Sequence, residues 1–184
     1  MAPDSSNSQK GRLIANFLGY QFIWFFTVWC INKELFLLPL LATGIYIFGH
    51  FLYSYQKKRE LLTIGIISLV GVLTDMCVIN LGILQINTPQ PNILNMPYWL
   101  IGIWIAFSQL IPYSLNWITR KKRLAVIGGA IFGPLAYTSA IKLNILGSTN
   151  LIQTTIVLSI VWAILMYIFI KIIERTGASN DSIK

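Results

Sequence analysis

Two ionisable side chains sit where such groups are costly. Asp75 lies inside the apolar run Leu61–Leu84, and His50, the sole histidine, lies inside Leu35–Tyr55. In hydrocarbon an ionisable group costs about 3 kcal/mol on insertion scales, so each one raises a functional hypothesis and needs a partner. Asp75 has the chemistry of an acid, a base or a substrate anchor; the plainer alternative is a hydrogen-bonded structural aspartate that fixes helix packing. His50 has the chemistry of a proton relay, or more plainly of a hydrogen-bonding residue at an interface. Uncharged polar groups recur at mid-run elsewhere, namely Gln21, Ser108, Gln109 and Tyr137. Together these six residues define a candidate substrate-binding seam: Gln21, His50, Asp75, Ser108, Gln109 and Tyr137.

Chemistry beyond binding finds little support in the residue pattern. Asp75 has no second carboxylate close in sequence, and no nucleophile stands beside a paired base. Cys30 and Cys77 lie within apolar runs and read as packing residues, with neither a disulfide framework nor metal-site spacing. No catalytic residue, metal or cofactor is therefore assigned, and an enzyme ranks below a binding protein or an accessory subunit.

Small residues and prolines form a second pattern. Gly129 and Gly133 make a small-xxx-small motif continued by Ala136, which predicts close helix packing. Gly71, Asp75 and Gly82 share one face of the third run, so that face is expected to look into a bundle. Pro112, on a face with Gly102, Gln109 and Asn116, and Pro134, beside Gly133, are expected to kink their helices. The second run carries a stripe of its own, Pro39, Thr43, Tyr46, His50 and Ser54.

The elements that must position these residues follow from composition. The chain is 55% hydrophobic and 11% charged, with a mean hydropathy of +0.67. A soluble domain carries roughly a quarter charged residues, so lipid must be the solvent for much of this surface. A spanning helix needs about 20 mostly apolar residues, at about 1.5 Å each, to cross about 30 Å of hydrocarbon. The stretches that qualify are residues 13–31, 35–55, 61–84, 98–118, 124–143 and 151–173. The fold class expected is an all-α, polytopic membrane bundle of six helices, between an N-terminal tail (1–12) and a C-terminal tail (174–184). Peptide groups facing lipid must pair internally, which leaves helices as the economical reading.

Orientation follows from Lys and Arg in the short connections. With both termini cytoplasmic, every one of the 14 basic residues except Lys33 and Lys142 falls on the cytoplasmic side. The clusters Lys57-Lys58-Arg59 and Arg120-Lys121-Lys122-Arg123 sit at run ends, where they meet anionic headgroups. The net charge of +8 therefore does not point to nucleic acid. Trp29, Tyr98 and Trp99 fall at outer ends and Tyr53, Tyr55, Trp117 and Tyr167 near inner ends, as an aromatic belt requires. The uncharged, proline-containing connection Gln85–Pro97 is expected to form a compact outer cap or a re-entrant turn.

The run Ser114-Leu115-Asn116-Trp117, followed by Gly129, Gly133-Pro134-Leu135-Ala136-Tyr137 and Leu143, resembles the DUF2878 family of small bacterial membrane proteins. Asn16, Gln21 and Trp24, and Gly71-Val72-Leu73-Thr74-Asp75 with Gly82, fit the same pattern. An Asn-His pair commonly precedes Ser114-Leu115 in that family; Pro112-Tyr113 stand there in this chain. The resemblance implies a polytopic protein of the bacterial inner membrane and, through frequent gene proximity to lipid-modifying enzymes such as cyclopropane fatty acid synthase, a lipid-related role. The expectation is then a protein that binds or moves a small or lipidic substrate, a transporter being one form of it. The alternative is an accessory or scaffold subunit of a lipid-modifying enzyme complex. Partners expected are the bilayer, a lipid or small-molecule ligand, and a membrane protein or second copy of the chain.

Overall fold

Uninterrupted apolar runs fold as helices, and left-handed residues at Glu34, Gly82, Asn144 and Gly177 follow the ends of four of them. The computed structural model describes residues 5–53, 57–87, 90–115 and 120–177. Ser54, Tyr55, Asn116 and Trp117, singled out above, lie outside the described residues, as do residues 1–4 and 178–184 of the two tails. The protein is 76% helical. Its helices are α1 (Ser5–Asn32), α2 (Leu38–Tyr53), α3 (Lys57–Asn80), α4 (Tyr98–Ser108), α5 (Lys122–Lys142) and α6 (Leu151–Thr176). Four of them, α1, α3, α5 and α6, are long and apolar enough to cross a membrane.

Three expectations change at the helix ends. Residues 5–12, read above as tail, form the first turns of α1. The second run is a shorter helix of 16 residues, because the chain first turns through Glu34, whose φ is 60°. The fourth run is not one helix kinked at Pro112. Helix α4 is 11 residues long, about 16 Å at about 1.5 Å per residue, and stops at Ser108. Pro112 has no N–H to give the Ser108 carbonyl and disfavours helical geometry at Ile111. The chain instead closes tight turns, with the Leu110 N–H donating to the Phe107 carbonyl at 2.9 Å and the Leu115 N–H to the Leu110 carbonyl at 2.8 Å.

Side-chain distribution is inverted relative to a soluble protein. Phe22, Phe25, Ile45, Phe48, Leu69, Phe132 and Ile152 are all more than half exposed. An apolar exterior of this extent suits lipid contact. Inside, α5 packs along α6, α3 along α4 and α6, and α4 against α1 and α2, with α1 also against α2.

One end of the bundle is closed by short strands. β1 (Gln85–Ile86) pairs antiparallel with β4 (Leu146–Gly147), and β2 (Asn92–Ile93) with β3 (Met96–Pro97) through a turn at Leu94 and Asn95, both at positive φ. The Asn87 side chain donates to the Leu146 carbonyl at 2.8 Å. Gln90 accepts from the Trp99 indole at 2.6 Å. The connection after α3 is thus a hydrogen-bonded cap tied to the connection after α5.

Candidate functional site

Asp75 of α3 is 2% exposed and accepts hydrogen bonds from two other helices. The Trp104 indole N–H of α4 donates to one carboxylate oxygen at 2.7 Å, and the Tyr137 hydroxyl of α5 lies 2.7 Å from both. No basic side chain pairs with it among the described residues, so the carboxyl is held by neutral donors. Buried hydrogen bonds of this kind specify one arrangement, since breaking them strands polar atoms at about 1–3 kcal/mol each.

The glycines explain how bulky rings reach this depth. Trp104 lies flat against Gly71, one turn before Asp75, where any added methyl would collide with the indole. Gly133, one turn before Tyr137, seats the Trp162 indole in the same way, and Gly129 seats Met166. The two indoles then stack, with centroids 5.4 Å apart and planes 15° apart. The small-residue faces of α3 and α5 are therefore filled from within the fold. Gly82 does not join them: it stands beyond α3 at φ 73° and serves the turn. Pro134 lies buried inside α5, which continues past it.

In front of this aromatic wall is a cavity of about 620 Å³, bordered by α1, α4, α5 and α6. Trp104, Tyr137, Phe107 and Trp162 face it with their rings, and Gln21 and Ala136 also line it. Asp75 does not; it stands behind the wall and orients it.

The remaining candidates lie outside this site. His50 Nε2 approaches Glu60 at 3.5 Å, close enough for an ion pair though not in hydrogen-bond geometry. The His50 ring meets Tyr113 edge-on at 4.6 Å. Glu60 opens α3, whereas Asp75 lies fifteen residues on, about 22 Å away along the helix. Gln109 is fully buried and neither its amide oxygen nor its nitrogen has a hydrogen-bond partner among the described residues; Ser108 donates to the Ile105 carbonyl at 2.7 Å. The single seam expected from sequence is thus divided. Gln21, Tyr137 and Asp75 belong to the cavity and its back wall; His50 belongs to a separate group with Glu60.

Residues 13–168 match the model of a family described as a protein of unknown function, DUF2878. The chain belongs to the DUF2878 family. No curated protein and no solved structure matches the chain. The DUF2878 match contains Asp75, Trp104, Tyr137 and Trp162, so the whole buried knot and its cavity lie within the family's own span. Trp104 and Trp162 escaped the sequence reading. Their signal was position: tryptophan favours the headgroup level, and a tryptophan at mid-run asks for a partner facing a glycine.

Proposed function

We propose that this DUF2878 protein is an intramembrane binding protein that takes an apolar or lipidic ligand into the cavity between α1, α4, α5 and α6. The observation that carries this reading is the cavity itself, about 620 Å³ and walled by stacked aromatic rings. That volume lies within the roughly 300–1,000 Å³ common for small-ligand sites, which are mostly apolar with few placed polar groups. Asp75 acts through Trp104 and Tyr137 by fixing their rings, and Gln21 supplies a polar contact. Against a scaffold role stands the use of Gly71, Gly129 and Gly133 inside the fold, which removes the small-residue faces as docking surfaces. The same reading places the protein in the bacterial inner membrane as a multi-pass chain with both termini cytoplasmic, supported by its basic-residue bias.

Native mass spectrometry of the protein released from mild detergent tests the proposal. The wild type is expected to retain a molecule of lipidic mass, and Gly128→Leu, which fills cavity space where a Cβ meets little, to lose it. A wild type that never retains such a mass, or a variant that retains it equally, refutes the reading.

A further inference from the structure

The cavity also has a mouth and a polarity. Among its lining residues, Phe17 and Phe25 of α1 and Phe132 and Leu135 of α5 are also exposed on the apolar outer surface. Helices α1 and α5 stand on either side of the opening and, each packed against other helices, are not closely packed against one another. The opening therefore faces where lipid chains lie.

No Asp, Glu, Lys, Arg or His lines the cavity among the described residues. An ionised headgroup would enter without a counter-charge and lose several kcal/mol of solvation. Several polar side chains of the wall are already committed: Trp104 and Tyr137 donate to Asp75, Trp99 to Gln90, and Ser139 to the Leu135 carbonyl. Tyr20, Gln21 and Trp24 differ. They share one face of α1, line the cavity, and make no side-chain hydrogen bond among the described residues. Between them they offer an O–H, an amide and an indole N–H, donors and acceptors without net charge.

Size selects among occupants. At about 30 Å³ per water-sized group, the cavity holds roughly twenty such groups, the size of one long hydrocarbon chain with a small head. A spanning helix, about 10 Å across and about 30 Å long, is several times larger.

Resting on the binding function proposed above, we infer that the ligand is an uncharged single-chain amphiphile, entering sideways between α1 and α5, whose hydroxyl or carbonyl head is held by Tyr20, Gln21 and Trp24. Its tail lies against the Trp104, Phe107 and Trp162 rings.

Three brominated probes with the same chain separate head from tail: dibromostearyl alcohol, dibromostearate at alkaline pH, and dibromooctadecane. Each quenches tryptophan fluorescence when it occupies the cavity of the purified full chain. The alcohol is expected to bind roughly tenfold tighter than the hydrocarbon, the factor for two modest net hydrogen bonds, and the carboxylate weakest. Gln21→Leu and Tyr20→Phe, checked for wild-type helicity and melting, should each shrink that preference. Quenching by none of the probes defeats the binding function itself. Equal affinity of alcohol and hydrocarbon, tighter binding of the carboxylate, or an undiminished preference in both variants overturns the head assignment while leaving the cavity reading intact. A second copy of the chain that no probe displaces also overturns it.

Discussion

A carboxyl group deep in an apolar bundle usually invites a catalytic or ion-coupled reading, and the surroundings of Asp75 argue for another role. Its oxygens receive the Trp104 N–H and the Tyr137 O–H, and each donor comes from a helix other than its own. The aspartate thereby turns two polar edges away from the cavity and leaves ring faces toward it. Asp75→Leu is expected to strand both donors, at about 1–3 kcal/mol each, and to lower the melting temperature measured in detergent. Asp75→Asn keeps one acceptor and should fall less. A Leu variant as stable as wild type would show that the two hydrogen bonds do not hold the wall. Asp75 was legible in sequence as an acid amid apolar residues, as were Gly71 and Gly133 as packing positions. Their partners were not, because a packing glycine shows only that something large comes close, and the indoles that do so come from helices far along the chain.

At the scale of elements, the instructive helix is α4. Its run is continuous in apolarity over residues 98–118, yet the backbone leaves helical geometry after Ser108 because Pro112 interrupts the hydrogen-bond ladder. The turns that follow carry Tyr113 to His50 and Ser114 to α1, where its hydroxyl lies 2.7 Å from the Leu13 carbonyl. The cap over the opposite end was expected from its prolines and lack of charge, although the strand pairing was not, since two-residue strands leave no periodicity to read. Asn87 ties the two connections of the cap together. Asn87→Ala should speed hydrogen exchange over Gln85–Pro97 while leaving the cores of α3, α5 and α6 protected, with global stability falling by about 1 kcal/mol or less. Equal protection of the cap in both proteins would show that its strands need no side-chain tie.

For the whole molecule, the asymmetry of basic residues makes a topological prediction. In a background with Cys30 and Cys77 replaced by serine, Lys33→Cys and Lys142→Cys should react with a membrane-impermeant maleimide in intact cells, and Lys10→Cys only after permeabilisation; the reverse pattern would invert the orientation. By itself the sequence determined that the chain is an apolar helical bundle, where most helices lie, and that Asp75, Gly71, Gly129 and Gly133 face inward, because burial in lipid and helical periodicity are written in local composition. Tertiary structure alone decided that the polar residues do not share one seam, that Trp104 and Trp162 stack on the glycine faces, and that α1 and α5 part to leave a cavity. Those outcomes depend on which helices become neighbours and on the space their side chains leave between them, which no single segment contains.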